Sequence, residues 1–358
     1  MRYPDFLKEN GTIGFVAPSF GCKLQPYRAA FENACKKWKE LGYQLDLGPN
    51  CFAGEGIGIS NTPEKCAGEL LEYYAKKEND CLISCGGGEL MCEILEYVDF
   101  EALRQEKPKW YMGYSDNTNL TFLLLTLCHT ASVYGPCAGA FGMEPWHPAL
   151  QDAMDLLTGK KQKVESYGSW EREGKKDEEH PYEPYCCTEP LKLRMYAPDK
   201  KGELKEEREL FMQGRLIGGC MDCLVNLTGT KFDRVGEFLE TYREDGFLWF
   251  LEACDLNVFS IRRAMWQMDQ AGWFRYVKGF LIGRPLAGQE LMGLDCYEAV
   301  LPIARKHRVP ILMDADLGHL PPMMPIVTGS MGTVRAKDDH MELEMEYRSG
   351  ESVWQFII

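Results

Sequence analysis

Short apolar segments and amphipathic segments alternate along the first 150 residues of the chain. Strands are predicted at residues 12–17, 43–47, 81–84 and 110–113, and helices at residues 27–41, 63–77 and 119–127. In the first helix, Ala30, Phe31, Ala34 and Trp38 recur at helical spacing. The repetition of strand, crossover helix and strand predicts an α/β layer on a parallel sheet, with ligands at the carboxyl ends of the strands.

The pattern changes after residue 159. Residues 160–210 are rich in Lys, Glu, Pro, Tyr and Gly and contain the charged run EREGKKDEEH, which is typical of a linker or a partly mobile insertion. Strand and helix patterns return after residue 211, and alternating apolar and polar residues over 332–358 predict antiparallel strands. We therefore expect three parts, with bounds at 1–159, 160–210 and 211–358.

Composition and charge narrow the class of protein. The 358 residues can bury a sizeable core, and a formal charge of −14 argues against nucleic acid or an anionic membrane surface as the main partner. The chain opens without the apolar stretch of a signal peptide, and its most apolar run, residues 120–128, is too short to span a bilayer. We expect a cytoplasmic protein.

Fifteen cysteines are scattered along the chain, and in a reducing compartment most are expected to be small buried apolar side chains. Two clusters stand out, Cys186 with Cys187 and Cys220 with Cys223. Neither has a pair of histidines nearby at the spacing of zinc ligands. No metal or organic cofactor is therefore expected.

Ser115 lies directly between a predicted strand and a predicted helix. A turn of this kind lifts a side chain above the sheet and directs the amides of the following helix toward the same point. A serine placed there can attack a carbonyl while those amides stabilise the oxyanion. The alternative is a helix N-cap, for which serine is a good residue. The segment also lacks the second glycine of the G-x-S-x-G motif.

A nucleophilic serine needs a base, and His319 is the best placed of the six histidines. It follows a glycine in a loop after the strand predicted at residues 309–313. Catalytic groups gather on loops that a rigid strand fixes. The alternative is a histidine that only bonds a backbone carbonyl.

Glu252 ends the strongly apolar strand FLWFLE. A carboxylate at the end of a buried strand is costly unless it is partnered, and a partnered carboxylate can orient a catalytic imidazole. It can also simply reach solvent. Asp255, Asp314 and Asp316 are competing candidates that the residues alone do not separate.

Several segments taken together resemble successive blocks of the LD-carboxypeptidase family. They are GTIGFVAPS, CGGGELMCEILEYVDF, GYSDNTNL, YGP, LIGGCMDCLVNLTGT, FLEACDLNVFSIRRAMWQMDQAGWF, VKGFLIG and the GH of LGHLPPMMP. The blocks arrive in the order of the family and cover most of the chain outside residues 145–210. The family also includes microcin C self-immunity proteins.

The resemblance implies an amino-terminal Rossmann-like parallel-sheet domain and a carboxyl-terminal β-rich α/β domain. It assigns the nucleophile to Ser115, the triad acid to Glu252 and the base to His319, so that the site closes between the two domains. It also implies an oxyanion hole from the amides of Asp116 and Gly87, without a metal or organic cofactor. Members commonly form homodimers.

The chain departs from the family at the glycine turn, which reads Cys-Gly-Gly-Gly-Glu where many members have Arg-Gly-Gly-Tyr-Gly. A shift of one residue would bring Gly88 into the oxyanion hole or the substrate site. The helix after Glu252 also departs from the aromatic-Arg-Asp-Arg pattern of the family.

The implied reaction is hydrolysis of the amide between an L-centre and a terminal D-amino acid in a murein tetrapeptide, a step of cell-wall recycling. Arg215 is a candidate contact for the terminal carboxylate. An alternative is hydrolysis of a peptidyl or aminoacyl nucleotide, as in microcin self-immunity, with Trp170 as a surface on which a base stacks. A second alternative is a non-catalytic nucleotide- or peptide-binding α/β protein, in which residues 86–88 hold a phosphate.

Overall fold

The first half of the chain forms a parallel sheet with helices on both faces, in a computed structural model that describes residues 1–349. Its elements are β1 (Thr12–Val16), α1 (Tyr27–Glu40), β2 (Gln44–Leu47), α2 (Pro63–Ala75), β3 (Cys81–Ser84), a 3-10 helix (Met91–Tyr97), α3 (Phe100–Gln105), β4 (Trp110–Gly113), a 3-10 turn (Ser115–Asn117), α4 (Thr118–Thr126), β5 (Val133–Tyr134), a 3-10 helix (Ala138–Gly142) and α5 (Pro148–Thr158). The strands run parallel in the order β2-β1-β3-β4-β5.

Burial on both faces of the sheet explains why the sequences of these strands are continuous apolar runs. Every residue of β3 and β4 is buried. Leu82 and Tyr111 face the core that includes α2, whereas Ile83 and Trp110 face the core that includes α1. A parallel sheet covered on both faces leaves no side for polar residues, so the alternation of a half-exposed strand is absent.

The second half builds a larger mixed sheet. Its elements are β6 (Lys163–Glu165), β7 (Ser169–Trp170), β8 (Glu189–Pro190), β9 (Arg194–Pro198), β10 (Leu204–Glu207), β11 (Glu209–Cys220), α6 (Met221–Leu227), α7 (Val235–Thr241), β12 (Phe247–Glu252), α8 (Val258–Gln270), β13 (Val277–Gly283), α9 (Cys296–His307), β14 (Ile311–Ala315), β15 (Ile326–Val327), β16 (Met331–Lys337) and β17 (His340–Glu346). Within residues 1–349 this sheet has nine strands, in the order β10-β9-β14-β13-β12-β11-β16-β17-β6. Strands β11 to β14 are parallel, and antiparallel strands flank them.

Residues 160–210 differ from the expected linker or mobile insertion. Strand β6 pairs with β17 at one edge of the larger sheet, and β9 pairs with β14 toward the other edge. The separate pair β7 and β8 also lies in this segment. The strands are short, and β6 and β9 have partners in β17 and β14 that are more than 100 residues away, so the charged composition hides them.

The two halves are interlocked. Strand β15, near the end of the chain, adds antiparallel to β5 and so completes the first sheet as its sixth strand among the described residues. The ring of Phe122 in α4 stacks on Trp273, with centroids 5.2 Å apart, and Trp249 of β12 lies beside both rings. Shared cores of this kind hold side chains from both halves in fixed positions. The expected class, a parallel-sheet α/β half and a β-rich second half, is confirmed.

The tail prediction is confirmed for β16 and β17, which pair antiparallel. The last part of the predicted tail, residues 350–358, lies outside the described residues. In residues 1–349 no helix has the length and apolar character needed to cross a membrane.

Candidate active site

Ser115 sits at the turn that the sequence predicts, immediately after β4 and ahead of α4. Its φ is +62°, in the left-handed region, where a residue with a side chain costs about 1–2 kcal/mol. The residue that caps α4 is Asn117, so the helix-cap interpretation of Ser115 does not describe the structure. The backbone N–H of Ser115 donates to Tyr134 Oη at 3.3 Å. A strained, non-capping serine at a strand-to-helix turn has its hydroxyl free for other contacts.

The hydroxyl of Ser115 belongs to a continuous chain of hydrogen bonds. Ser115 Oγ lies 2.8 Å from His319 Nε2, and His319 Nδ1 lies 2.8 Å from Glu252 Oε2. A carboxylate only accepts, so Nδ1 carries the proton and Nε2 of the neutral ring is left to accept from the serine. The structure therefore brings together the three residues that the sequence singles out, from two different sheets.

Burial and the ion pair between Glu252 and His319 shift the pKa values of both groups. Burial raises the pKa of Glu252, but the imidazolium of His319 together with hydrogen bonds from His319, Tyr134 and Cys220 holds the pKa of this carboxyl below its ordinary value. Burial lowers the pKa of His319, but the Glu252 carboxylate together with Cys254 more than offsets burial, so the pKa of the imidazole is raised. Glu252 therefore stabilises the positive charge that His319 acquires when it takes a proton.

Gly318 lets the loop of His319 approach the carboxylate. Its φ is +97°, and a Cβ at this position would lie 2.6 Å from Glu252 Oε2. Any side chain would push the histidine loop away from Glu252. Steric crowding against Glu252 therefore explains why the residue before His319 is a glycine.

The glycine turn lies against the serine. A Cβ on Gly87 would stand 3.3 Å from Ser115 Oγ, while the Gly87 carbonyl accepts from Phe20 N–H at 2.9 Å. Within residues 1–349 the Gly87 N–H donates no hydrogen bond. Gly88 packs next to Ser19, since a Cβ there would lie 2.2 Å from Ser19 Oγ. The turn thus places an uncommitted amide next to the candidate nucleophile.

The side chain of Asp116 fixes this arrangement. Its buried carboxylate accepts from Ser19 Oγ at 2.6 Å, Met91 N–H at 2.9 Å and Asn119 Nδ2 at 3.0 Å. Burial raises the pKa of Asp116 despite these donors. The carboxylate holds the turn together, and its backbone amide follows directly after Ser115.

Two cavities flank the serine and the glycine turn. A cavity of about 160 Å³ is lined by Ser115, Gly88 and residues after β11 and β12. A larger one of about 640 Å³ has an apolar wall that includes Gly86, Gly87, Phe20 and Tyr27. The smaller cavity opens on Ser115 itself, whereas the larger one opens on the glycine turn beside it.

Arg215 is not part of this site, which corrects the expectation that it contacts the substrate. It pairs with Phe247 at the opposite end of the β11–β12 ladder from Glu252, five residues or roughly 17 Å away. Its guanidinium is buried, lies 2.5 Å from Asp245 and covers the ring of Tyr242. The charge is already neutralised, so Arg215 stabilises the fold.

Trp170 lies beside the loop that carries His319. It is half-buried in β7, and the guanidinium of Arg284 lies 5.2 Å from its ring. The next residue, Glu171, donates its N–H to the carbonyl of Pro321 at 2.7 Å. Trp170 is close to the site without touching the three central residues by any hydrogen bond.

The cysteine clusters lie in two places. Cys220 and Cys223 line the smaller cavity, whereas Cys186 and Cys187 lie in the segment between β7 and β8. Nine of the fifteen cysteines are buried, which confirms that most of them act as small core residues.

Two side-chain groups in the described part of the chain hold potential metal ligands close together. They are Cys220 with Glu252 and His319, and Glu165 with His340 and Glu342. In the first group Glu252 and His319 already bond each other, and a hydrogen bond with Cys223 together with burial raises the pKa of the Cys220 thiol. In the second, Lys163 bridges both carboxylates. In both sets, carboxylates already bond neighbouring side chains.

One contact of the site could not be predicted from the sequence. Tyr134 donates to Glu252 Oε1 at 2.6 Å. The residue stands in the quoted YGP motif, but a buried tyrosine near a strand end carries no chemical signal of its own. Only the fold shows that its hydroxyl meets a carboxylate.

The fold and the site define a serine hydrolase. Two family models match the chain, the LD-carboxypeptidase N-terminal domain over residues 13–135 and the LD-carboxypeptidase C-terminal domain over residues 213–334. Together they cover more than half of the chain, which therefore belongs to the LD-carboxypeptidase family of serine peptidases. Membership in a peptidase family supports a hydrolase over a non-catalytic binding protein.

The similar proteins include both activities that the sequence suggests. The microcin C7 self-immunity protein MccF of Escherichia coli is 25% identical over 305 residues, which cover 82% of this chain and 81% of MccF. A structure of MccF in complex with aspartyl sulfamoyl adenosine has a TM-score of 0.75 at 20% identity and covers 98% of this chain and 100% of its own. The muramoyltetrapeptide carboxypeptidase of Oxalobacter formigenes has a TM-score of 0.68 at 16% identity, over 94% and 99%. These structures share the fold.

Proposed function

We propose that this protein cleaves the amide bond between an L-centre and a terminal D-amino acid in murein tetrapeptides, with Ser115, His319 and Glu252 as its catalytic triad. The observation that carries the proposal is the chain of two 2.8 Å hydrogen bonds from Ser115 through His319 to Glu252. This geometry is the one by which a base activates a serine and a carboxylate orients the base.

In the acylation step, Ser115 Oγ attacks the carbonyl carbon of the scissile amide, and its proton passes to His319 Nε2. The carbonyl oxygen becomes an oxyanion that the backbone N–H groups of Gly87 and Asp116 stabilise. The carbon–nitrogen bond then breaks, and His319 returns the proton to the nitrogen of the departing D-amino acid. Glu252 stabilises the imidazolium during the transfer.

Water completes the reaction. His319 removes a proton from a water molecule that attacks the acyl carbon, the ester to Ser115 breaks, and the proton returns to Ser115 Oγ. The products are the shortened peptide with a new carboxylate and the regenerated serine. Each proton passes through His319, from Ser115 to the departing nitrogen and then from water back to Ser115, so the scheme uses no metal or organic cofactor.

The murein substrate is supported by the family and by the shared fold with a muramoyltetrapeptide carboxypeptidase. The second candidate is hydrolysis of an aminoacyl or peptidyl nucleotide. It is supported by the shared fold with MccF, whose structure holds aspartyl sulfamoyl adenosine, and by the roughly 640 Å³ cavity with Phe20 and Tyr27 in its wall. Such a space is large enough for a ring system.

A product assay separates the two candidates. Purified protein is incubated with a murein tetrapeptide that ends in D-alanine and, separately, with an acyl-adenylate, and released D-alanine or nucleotide is measured. We expect faster turnover of the tetrapeptide by wild type and none by Ser115→Ala. Faster cleavage of the acyl-adenylate would make the nucleotide the substrate.

We also propose that the protein acts in the cytoplasm and forms a homodimer, as members of the family commonly do. The acidic charge and the many buried thiols suit a reducing compartment. Light scattering of the purified chain tests the dimer, since a mass equal to one chain at micromolar concentration would contradict it.

A further inference from the structure

The smaller cavity at Ser115 is rich in thiols. Four of the fifteen cysteines line it, namely Cys92, Cys220, Cys223 and Cys254. Glu89, Asp222 and Asp255 lie in the same wall, and within residues 1–349 the lining includes no lysine or arginine. The volume of about 160 Å³ holds an ion with several waters, since one water takes about 30 Å³. Sulfur donors beside negative charge favour a thiophilic cation.

Two of these thiols contact the proposed triad. Cys220 pairs with Glu252 across the β11–β12 ladder, and its thiol is hydrogen-bonded to the Glu252 carboxylate. Cys254 follows Glu252 by two residues, and its thiol is hydrogen-bonded to the ring of His319. The Cys220 sulfur, a Glu252 carboxylate oxygen and a ring nitrogen of His319 all lie within 4.8 Å of one another. Two sulfurs, an imidazole and a carboxylate therefore surround one small volume.

Asp222 holds the two cysteines in place. Its Oδ2 lies 3.3 Å from Cys220 Sγ and accepts from the backbone N–H of Cys254 at 3.0 Å. Its Oδ1 accepts from the backbone N–H groups of Asp255 and Leu256 at 2.9 and 3.2 Å. The end of β11 and the loop after β12 are therefore fixed relative to each other. A set of donors that is already in place loses little freedom when it binds a ligand.

We propose that the thiols of Cys220 and Cys254, together with His319, bind a thiophilic divalent cation such as Zn²⁺, which inhibits the enzyme. Glu252 supplies a fourth donor. Two cysteines and a histidine are a donor set of zinc, which binds sulfur at about 2.3 Å and nitrogen or oxygen at about 2.0–2.2 Å. Donors of such a tetrahedral site lie roughly 3.3–3.8 Å apart, so the side chains need to approach by about 1.5 Å at most.

Binding removes the lone pair that the proposed base needs. Each thiol releases its proton to solvent as it binds, so two protons leave for each divalent cation that enters. A neutral imidazole has one free nitrogen lone pair. A cation on Nε2 of His319 occupies this pair, and a cation on Nδ1 leaves the ring proton on Nε2. In both cases Nε2 cannot accept the proton of Ser115. Binding is independent of the proposed function, whereas the inhibition rests on it.

Titration of wild type with zinc chloride tests the inhibition. A phosphine reductant keeps the thiols reduced, and hydrolysis is measured on whichever of the two candidate substrates the enzyme cleaves. We expect inhibition at low micromolar zinc by one ion per chain, with full recovery on addition of the chelator EDTA. Magnesium chloride at the same concentration should have no effect, because Mg²⁺ prefers oxygen ligands. Equal inhibition by magnesium, or inhibition that EDTA does not reverse, would overturn the site.

Two cysteine variants and two controls locate the ion. Cys220→Ser and Cys254→Ser replace sulfur with a weak zinc ligand, and each should raise the inhibition constant for zinc at least about 100-fold, more than loss of a residue that only orients a ligand. Inhibition is expressed relative to the rate of the same variant without zinc. Cys35→Ser, at a half-buried thiol of α1, should change the constant less than about twofold. The same holds for His340→Ala, in the second group of potential ligands. Equal zinc inhibition of all four variants would overturn the site.

Cobalt absorption separates the site from the proposed function. Co²⁺ takes the place of Zn²⁺, and cobalt–thiolate complexes absorb visible light, so binding is measured without a substrate. We expect these bands in wild type and in Ser115→Ala, and weaker bands in Cys220→Ser and in Cys254→Ser. Bands in a wild-type protein that hydrolyses neither substrate would keep the site and overturn the proposed function. A wild type that hydrolyses its substrate and shows no bands would overturn the site and keep the function.

Discussion

Tyr134 and Glu252 lie in different sheets, and a hydrogen bond of 2.6 Å from the tyrosine hydroxyl to Oε1 joins them. The other oxygen of the same carboxylate accepts from His319. Tyr134 Oη also accepts from the backbone N–H of Ser115. One phenol thus connects the turn of the proposed nucleophile with the carboxylate that orients the proposed base. We assign Tyr134 as a positioning residue.

Tyr134→Phe should lower kcat/KM by roughly 10- to 100-fold, because a hydrogen bond to a charged group contributes about 1.5–3 kcal/mol. It should also move the acidic limb of the pH profile to higher pH. With one donor fewer, Glu252 carries more negative charge toward His319 and raises the pKa of the imidazole further. Tyr97→Phe, an exposed site, is the control. A lower kcat/KM with an unshifted limb would show that Tyr134 acts only through stability.

The pH dependence of wild type follows from the ion pair. His319 must be neutral to take the proton of Ser115, and Glu252 raises the pKa of this imidazole. Activity is therefore lost as pH falls through a value above about 6.5, the ordinary pKa of histidine. In Glu252→Gln the charge is removed while burial remains, so the limb should move to lower pH as the maximum rate falls by about 10²–10⁴. A limb at the same pH in both proteins would contradict this coupling.

The central strands β3, β4 and β12 could be predicted because each is a continuous buried run with clear ends. Strands β3 and β4 fall on the predicted residues, and the helix at residues 63–77 ends two residues early. The strands in residues 160–210 could not be predicted in this way. Only Met195 of β9 is fully buried, and its partners in β14 are more than 100 residues away. Alternation over so few residues carries little signal.

The residues of the site also differ in whether the sequence could predict them. Ser115, Glu252 and His319 stand at strand ends, where the topology brings side chains together, and family motifs point to them. Arg215 also stands in a strand, but the sequence does not say at which end of the ladder it lies. The contact between Tyr134 and Glu252 depends on the packing of side chains from two different sheets. Contacts of this kind exist only once the chain has folded.

Substitution of Ser115 should separate catalysis from backbone strain. Ser115→Ala should stay folded and lose about four to six orders of magnitude in turnover, as removal of a triad nucleophile does elsewhere. Ser115→Gly should be equally inactive but more stable than Ser115→Ala by about 1 kcal/mol, because glycine adopts a φ of +62° without strain. Single-turnover rates and chemical denaturation measure the two effects. Substantial turnover by Ser115→Ala would refute the nucleophile assignment.

Arg215→Ala should destabilise the fold and leave the chemistry alone. It removes the contact with Asp245 and a hydrogen bond to the Gly329 carbonyl, so the free energy of unfolding should fall by about 2–4 kcal/mol. The folded fraction should keep kcat/KM within twofold. Arg335→Ala removes an exposed ion pair with Glu344 and should cost less than about 1 kcal/mol. A raised KM for Arg215→Ala at unchanged stability would restore it as a substrate contact.

Substitution of Trp170 should distinguish the two candidate substrates. Its ring faces Arg284 beside the loop of His319, so a base that stacked on it would gain about 1–3 kcal/mol, or roughly 5- to 150-fold in kcat/KM. If the substrate is a murein peptide, Trp170→Ala should cleave it nearly as wild type does, because a peptide offers no base to stack. Trp266→Ala, at an exposed tryptophan of α8, controls for loss of a large ring. A selective loss of acyl-adenylate hydrolysis in Trp170→Ala, with wild type cleaving the nucleotide faster than the tetrapeptide, would make the nucleotide the physiological substrate.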